Sequence, residues 1–388
     1  MIIPAADKLQ HIQEYYFSRK LKEIKELMDE GKPILNLGIG NPDQMPSSQT
    51  IEALKKSADK LDSHGYQSYI GIPALRNAMA KWYSETYNVN LDPTTEILPL
   101  LGSKEGITHV SQAFINPGDV VLIPNPGYPS YESATRLAGG IPIFYELKEE
   151  QNWEPDFSSI NVNDLEKAKL LWVNYPNMPT GAAGSIAVFE KIIYFAEKNK
   201  LLVINDNPYS LILNEKKPLS IFQVRGAMAV AMELNSLSKS HNMAGWRIGL
   251  LTGRGDYIST VLKVKSNVDS GMFLPIQEAA IQAFQNDEQW HNERNEVYLK
   301  RRVIATQIME SLNCVVEKNQ VGMFLWAKIE DKWRDSGELA DKVLYGADVF
   351  ITPGFIFGSQ GKRYLRISLC SPETMLIEAL KRIKNLKL

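Results

Sequence analysis

The sequence has few of the residues that build disulfide frameworks and metal centres. Its 388 residues include two cysteines, Cys314 and Cys370, without a CxxC spacing, and five histidines without an HExxH pair. A disulfide scaffold, a structural zinc site and a metalloprotease site are therefore not expected, and two isolated cysteines suit a reducing compartment. We predict that the protein requires no metal.

Charge of one sign and long apolar runs are also scarce. The formal net charge is -2 and the sequence pI is near 6.3, which gives no basic surface for nucleic acid or for an anionic membrane. No apolar run approaches the ~20 residues of a membrane span, and residues 1–10 lack the apolar centre of a signal peptide. We therefore expect a cytoplasmic protein that acts on small molecules.

The glycine turn that follows an early strand is too weak to indicate a dinucleotide site. Gly38 and Gly40 form a GxG pattern but lack the third glycine of the dinucleotide fingerprint.

At 44% hydrophobic and 23% charged residues, the chain can bury a large core. Length and composition indicate one large domain with a smaller one.

The stretch over residues 236–249 combines a lysine with small hydroxyl residues and an arginine. A lysine that forms a Schiff base must lose its proton, so it needs burial and nearby positive charge, and Arg247 lies eight positions after Lys239. Ser236, Ser238 and Arg247 could also hold a phosphate through hydroxyl and forked guanidinium hydrogen bonds. A Schiff-base lysine beside a phosphate site suggests pyridoxal phosphate. The alternative is a solvated loop lysine before a buried strand.

Two charged residues lie within otherwise apolar strands. Asp206 follows four apolar residues and needs a partner if it is buried, and a protonated pyridinium nitrogen would serve. The alternative is that Asp206 caps a turn before Pro208. Arg366 lies in the apolar run 364–369, where a guanidinium is costly unless a carboxylate meets it. That carboxylate could belong to a substrate or to a glutamate of the same domain.

Two further segments have the form of ligand-binding turns. Residues 97–110 read as strand, glycine turn and helix, and the first free N–H groups of that helix, near Ser103 and Lys104, could face an anion. Tyr128 follows a second apolar strand, at the carboxyl end where open α/β sheets bind ligands.

These segments, in this order, resemble those of the class I/II aminotransferases, which are fold-type-I pyridoxal phosphate enzymes. The resemblance extends from about Gly38 to Arg366, and it is strongest to the branch of diaminopimelate and aspartate-type aminotransferases. It implies an α/β fold with a large domain, whose mostly parallel seven-stranded sheet lies between helices, and a smaller α+β domain. The implied parts are an arm with part of the small domain at 1–45, the cofactor domain at 46–285 and the small domain at 286–388.

The resemblance also implies the residues that contact the cofactor. Lys239 would carry pyridoxal phosphate, Asp206 would face the ring nitrogen and Tyr209 would donate to the phenolic oxygen. The remaining contacts would hold the phosphate or stack on the ring, and they are Tyr66, Ser103, Lys104, Tyr128, Ser236, Ser238 and Arg247.

A second implied set contacts substrate or crosses between subunits. Gly38 and Arg366 would lie at the substrate α-carboxylate, Tyr15 would lean on the substrate, and Asn267 would approach the site from the partner subunit. Tyr66 would reach the partner's cofactor phosphate. The implied assembly is a homodimer with shared sites.

One motif departs from the family pattern. The family usually has two asparagines before Pro-Thr-Gly, whereas this chain has Asn177 followed by Met178. A thioether cannot donate the hydrogen bond that the second asparagine gives to the phenolic oxygen, which is worth on the order of 1 kcal/mol. Asn177 could replace that donor if the loop shifts.

The implied activity is transfer of an amino group between an L-amino acid and a 2-oxo acid. Two alternatives share the same residues. A carbon–sulfur β-lyase on this scaffold would differ in how the same intermediate breaks down, and a non-catalytic pyridoxal-binding regulator would carry an added DNA-binding segment. The identity of the substrate side chain stays open.

Overall fold

The computed structural model describes residues 3–9 and 16–387, without the side chains of residues 17 and 18. Tyr15, predicted to lean on the substrate, lies outside the described residues. The strands of the described chain are β1 Leu35–Asn36, β2 Ile97–Leu100, β3 Val120–Asn125, β4 Ile141–Leu147, β5 Pro155–Asp156, β6 Ala168–Val173, β7 Leu202–Asp206, β8 Ala231–Ser236, β9 Gly249–Gly253, β10 Val315–Val316, β11 Phe324–Lys328, β12 Val349–Phe350, β13 Thr352–Pro353 and β14 Tyr364–Ser368.

Helices follow most of the strands. They are α1 Tyr16–Asp29, α2 Ser48–Ala58, α3 Pro73–Tyr87, α4 Ser103–Phe114, α5 Pro129–Leu137, α6 Val162–Glu166, α7 Ile186–Asn199, α8 Ala227–Val230, α9 Leu237–Ser240, α10 Gly255–Lys265, α11 Leu274–Ala283, α12 Glu288–Ser311, α13 Ser336–Ala347 and α14 Glu373–Lys384. None of the helices in the described ranges is both long enough and apolar enough to cross a bilayer.

The large sheet has the strand order β2-β9-β8-β7-β6-β3-β4-β5. Strands β4, β3, β6, β7 and β8 run parallel, and β9 is antiparallel to both of its neighbours. The predicted seven-stranded, mostly parallel sheet is thus confirmed. The two-residue strand β5 extends its edge as an eighth strand, antiparallel to β4.

The pattern of apolar residues explains why helices cover both faces of this sheet. Successive side chains of a strand point to opposite faces, so a strand buried on both faces reads as a continuous apolar run. In β3, Val120 and Leu122 pack in one core cluster, whereas Val121 and Ile123 pack in another. Each face therefore has its own apolar layer.

The smaller sheet is antiparallel in the order β10-β11-β14-β13, as expected for an α+β domain. Strand β1 pairs in parallel with β12, so part of the N-terminal segment lies with the C-terminal strands. The 24-residue helix α12 connects the end of the large domain to β10. The boundaries at residues 45/46 and 285/286 stay a prediction.

The carboxyl ends of β6, β7 and β8 meet at one edge of the large sheet. Asn174 follows β6, Asp206 ends β7, and Ser236 ends β8 immediately before α9. Open parallel sheets bind ligands at this edge. The polar residues singled out in the sequence are brought together here because each stands where an apolar strand stops.

Candidate active site

A cavity of about 560 Å³ opens at this edge, between the two domains. Most of the sequence-predicted site residues line it, namely Gly38, Ser103, Lys104, Tyr128, Asp206, Tyr209, Ser236, Ser238, Lys239, Arg247 and Arg366. Asn177, Tyr66 and Asn267 do not line it. The cavity is thus built from residues that are spread over more than 300 positions of the chain.

Lys239 lies in the single-turn helix α9, directly after β8. Its amine donates a hydrogen bond to the backbone oxygen of Gly40. Burial lowers the pKa of Lys239, and the positive charges of Arg366 and Arg247 lower it further. A neutral amine is the nucleophilic form, so this environment suits a lysine that condenses with an aldehyde.

Asp206 is buried at the end of β7. Tyr131 donates a hydrogen bond to its Oδ2 at 2.9 Å, whereas Oδ1 has no hydrogen-bond partner among the described residues. Burial raises the pKa of Asp206 to about 7. A buried carboxylate oxygen without a donor is costly, and a protonated ring nitrogen would supply the missing donor and charge.

The opposite end of the cavity can hold a phosphate. Helix α4 begins at Ser103, after Gly102 with a positive φ of 87°, and Ser103 and Lys104 of its first turn line the cavity. Arg247 donates to the hydroxyl of Ser238 at 3.3 Å and to the backbone oxygen of Leu101 at 3.3 Å. A Cβ on Gly102 would lie 2.1 Å from the Arg247 guanidinium, so only glycine permits this approach.

Arg366 projects from β14, lines the cavity and is buried. Its guanidinium lies 4.0 Å from the ring centre of Phe324 and 4.6 Å from that of Phe357. It also donates to the backbone oxygen of Gly38 at 2.9 Å. Two aromatic faces hold the planar group in a fixed orientation, which is the arrangement that carboxylate recognition needs.

The loop after β6 corrects one sequence prediction. Met178 lines the cavity, and its sulfur lies 3.3 Å from Arg366. The sequence left open that Asn177 replaces the missing donor if the loop shifts, but Asn177 does not line the cavity, and its Oδ1 accepts from the Thr180 hydroxyl at 2.8 Å. The asparagine that does line the cavity is Asn174, whose amide bonds tie Met178 to the backbone of Asp206.

Two residues predicted to act across a dimer lie at the surface of the single chain. Tyr66 is 93% exposed. Asn267 is exposed, and its amide donates to the backbone oxygen of Lys263 at 2.7 Å. Neither position conflicts with a contribution to a partner's site.

Sequence reasoning missed Tyr131, Leu21 and Ile39. Tyr131 could have been found, because it lies three residues after Tyr128 on a helix that Pro129 starts, so both rings lie on one face. Leu21 comes from α1 and Ile39 from the glycine turn, and both line the cavity. Their apolar side chains gave no signal that separates them from core residues.

One cluster of possible metal ligands lies outside the cavity lining. Oxygen or nitrogen atoms of Glu105, His109 and Asp269 lie within 4.8 Å of one another. The Lys265 ammonium already ion-pairs with Asp269 at 2.6 Å, and His109 lies 3.2 Å from Glu105. Lys265 thus neutralises the carboxylate of Asp269, and the absence of a required metal stays a prediction.

Comparisons with known proteins identify the family of the chain. Residues 32–383 match the family model described as aminotransferase class I and II. The chain belongs to this family of pyridoxal phosphate-dependent enzymes. It is 40% identical over 384 residues to an LL-diaminopimelate aminotransferase of Aquifex aeolicus, covering 99% of each chain. It is 41% identical to one of Oleidesulfovibrio alaskensis, covering 98% of each chain.

Solved structures give the same result. The apo structure of BacF from Bacillus subtilis superimposes with a TM-score of 0.95 at 35% identity, covering 100% of this chain and 99% of the other. An aminotransferase from Staphylococcus aureus superimposes with a TM-score of 0.89 at 29% identity, covering 98% of this chain and 99% of the other. The resemblance, the fold, the cofactor and the aminotransferase activity are confirmed. The carbon–sulfur lyase and the regulator receive no support, since the curated relatives are named aminotransferases.

The residues present fit pyridoxal phosphate. The cavity offers an amine of lowered pKa, a buried carboxylate oxygen that lacks a donor, and a helix N-terminus beside an arginine. When bound, the cofactor supplies an electron-withdrawing ring that stabilises negative charge at the substrate Cα.

The raised pKa of Asp206 predicts how the cofactor-free protein responds to pH. The pKa of Asp206 is about 7 in the folded protein, whereas in the unfolded chain it has its ordinary, lower value. Between these two pH values the folded protein binds more protons than the unfolded chain, so the free energy of unfolding falls as the pH rises. Asp206→Asn keeps an acceptor for Tyr131 and removes this cost. Relative to wild type, the variant should gain about 3 kcal/mol in free energy of unfolding from pH 5 to pH 8.

Urea unfolding of both cofactor-free proteins at several pH values measures this gain. Asp256→Asn is the control, because Asp256 is an exposed aspartate paired with Arg254 at 2.6 Å and its pKa is lowered. Parallel stability curves for wild type and Asp206→Asn would contradict the raised pKa.

Proposed function

We propose that this aminotransferase takes its amino group from an L-amino acid with an apolar or aromatic side chain, in an active site shared by two subunits of a homodimer. The observation that carries the donor class is the composition of the substrate end of the cavity. The relatives named LL-diaminopimelate aminotransferases suggest instead a donor with charged groups at both ends. An apolar donor requires an apolar cavity wall around its side chain, whereas a donor with a distal charge requires a polar one.

The cytoplasmic location stays a prediction.

Lys239, Asp206 and Tyr209 have distinct roles toward the cofactor. The Lys239 amine holds the cofactor and then moves the substrate α-proton, since a base of lowered pKa can both accept and return a proton near neutral pH. Asp206 keeps the ring nitrogen protonated. Burial raises the pKa of Tyr209, so its phenol stays a neutral donor for the phenolic oxygen of the cofactor.

The phosphate end and the substrate end are separate in this assignment. The residues that would hold the phosphate are Ser103, Lys104, Ser236, Ser238 and Arg247, and Tyr128 would lie against the ring. Arg366 binds the substrate α-carboxylate with a forked pair of hydrogen bonds, aided by the backbone at Gly38. Met178 lies beside Arg366 and offers no hydrogen-bond donor, so the substrate carboxylate depends more strongly on the arginine.

The remaining wall of the cavity is apolar. Leu21, Ile39 and Phe357 line it away from the ring-binding strands. Among the described residues that line the cavity, Asp206 is the sole acid, and it is assigned to the ring nitrogen. A distal ammonium of a substrate would therefore meet no carboxylate among the described lining residues that is free of the ring nitrogen, and leaving a charge unpaired costs several kcal/mol.

The segments that a partner would contribute do not alter this balance. Residues 65–72 carry no acidic side chain, and residues 266–273 carry Asp269 alone. The Asp269 carboxylate pairs with Lys265 and accepts the Gly271 N–H at 2.9 Å. Its charge is already neutralised within its own subunit, so it is not available to a substrate ammonium.

An exposed apolar surface supports the homodimer. Monomeric proteins rarely leave several large apolar side chains exposed close together. Here the 65–72 and 266–273 segments touch, since a Cβ on Gly271 would lie 2.4 Å from the Gln67 oxygen. Their region exposes Leu61 at 98%, Tyr66 at 93%, Val268 at 64% and Phe273 at 43%.

A pair of donors of equal length tests the donor class. L-norleucine and L-lysine differ by a terminal ammonium, so an apolar wall should favour norleucine by roughly 100-fold or more in kcat/KM. L-phenylalanine and L-methionine should also be accepted, and LL-diaminopimelate should be poor. Initial rates with each donor and a common 2-oxo acid measure these ratios. LL-diaminopimelate as the best donor would overturn the proposed class while leaving the aminotransferase activity intact.

Mixed dimers test the shared site. Lys239→Ala and Tyr66→Ala should each disable the homodimer, but a dimer of the two variants contains one intact centre, because Tyr66 of the lysine variant serves the partner's Lys239. Co-expression with two affinity tags and purification of the mixed dimer should recover about half of the wild-type activity.

The matched control pairs Lys239→Ala with Asp206→Ala. Both lesions lie in the centre of their own subunit, so each centre of that mixed dimer carries one of them and no activity should return. A Lys239→Ala/Tyr66→Ala dimer as inactive as this control would show that Tyr66 acts within its own subunit.

A further inference from the structure

Arg294 is a buried charge that the aminotransferase chemistry does not use directly. It lies on α12, it is 2% exposed, and it does not line the cavity. Its two terminal nitrogens donate to the backbone oxygens of Ser240 and Leu211. One of them also lies 3.1 Å from His291 Nδ1 and the other 3.2 Å from the Asn295 side-chain oxygen.

The two carbonyls that Arg294 joins belong to active-site segments. Ser240 is the residue after Lys239, and Leu211 lies two residues after Tyr209. These segments leave different strands, β8 and β7, and are 29 positions apart in the sequence. Arg294 therefore bridges the segment of the lysine and that of the tyrosine at atoms adjacent to both side chains.

Neighbouring residues of α12 reinforce the same two segments. The Asn295 amide donates to the Leu211 oxygen at 3.2 Å and accepts the Leu213 N–H at 3.3 Å. His241, two residues after Lys239, stacks on Trp290 with ring centres 5.9 Å apart. The start of α12 thus packs as a unit on the chain beside the lysine.

The energetic cost of Arg294 argues for a geometric role. No carboxylate lies within ion-pair distance of Arg294 among residues 3–9 and 16–387, so the cation is buried against backbone carbonyls and uncharged side chains. Burial lowers the pKa of Arg294 to about 10. Apolar packing of the same volume would usually be at least as stable. A planar guanidinium holds its N–H donors in a rigid forked geometry, so it fixes the positions of the two acceptor oxygens relative to each other.

We propose that Arg294 is a positioning residue that fixes the Lys239 amine relative to the Tyr209 hydroxyl, through the carbonyls of Ser240 and Leu211. The inference rests on the roles proposed above for Lys239 and Tyr209. Both groups would hold neighbouring atoms of the bound cofactor, whose ring would supply the electron sink. A change in the separation of the Lys239 amine and the Tyr209 hydroxyl would therefore alter the pKa of the lysine nitrogen and the geometry in which it moves the substrate α-proton.

Three variants test this role. Arg294→Met removes the charge and the fork, Arg294→Lys keeps the charge but not the fork, and Arg302→Met is the control. Arg302 lies on the same helix and donates to the backbone oxygen of Gln320 at 2.9 Å, and not to a carbonyl of either segment. Each protein, loaded with pyridoxal phosphate, is titrated by the visible absorbance of the lysine-bound cofactor, and kcat, KM and the melting temperature of the cofactor-free form are measured.

We expect Arg294→Met to shift the pKa of the absorbance change by about half a unit or more. It should also lower kcat roughly 10- to 100-fold, with KM for the amino donor changed less than about threefold. Arg294→Lys should shift both quantities in the same direction by less. Arg302→Met should lower the melting temperature without moving either quantity.

Two results separate the failure of this inference from failure of the proposed roles. Variants of Arg294 that lose stability but retain the wild-type absorbance pKa and kcat would overturn the positioning role. If Arg294→Met does not fold, Arg294→Lys decides by the same criterion. A wild-type enzyme without an absorbance change that depends on Lys239 would instead overturn the role of the lysine.

Discussion

The burial of the Lys239 amine beside two guanidinium groups is the interaction on which the rest of the site depends. Burial and the positive charges of Arg366 and Arg247 disfavour the ammonium form, so the pKa of Lys239 falls. Each arginine also has its own anionic ligand in the proposed function, the cofactor phosphate for Arg247 and the substrate carboxylate for Arg366. The same two arginines can therefore lower the pKa of the lysine and bind the anionic groups of the cofactor and of the substrate.

Helix α12 holds these groups in place from outside the cavity. Besides Arg294, it carries Arg301, which forms a forked ion pair with Asp43 at 2.7 and 2.8 Å. Asp43 ends the glycine turn whose Gly38 and Gly40 oxygens accept hydrogen bonds from Arg366 and Lys239. One helix between the domains thus fixes the turn at the substrate end and the lysine segment, which couples the position of the small domain to the geometry of the reacting groups.

The sequence predicted the site best where a polar residue interrupts an apolar run. Asp206 and Arg366 gave strong signals because burying a charge in a strand requires a partner. Asn177 and Met178 could not be resolved in this way, since their loop places one into the cavity and the other against Thr180, and that choice depends on tertiary contacts. Apolar lining residues such as Ile39 carry no signal that distinguishes a substrate wall from a core.

The most direct test of the account is chemical labelling of the lysine. The purified enzyme, loaded with pyridoxal phosphate, is reduced with borohydride and its peptides are mapped. The lowered pKa of Lys239 predicts that the reduced cofactor is found on that residue, and Lys239→Ala should leave the protein unlabelled. Label on Lys104, a second lysine that lines the cavity, would contradict the assignment of the reacting amine.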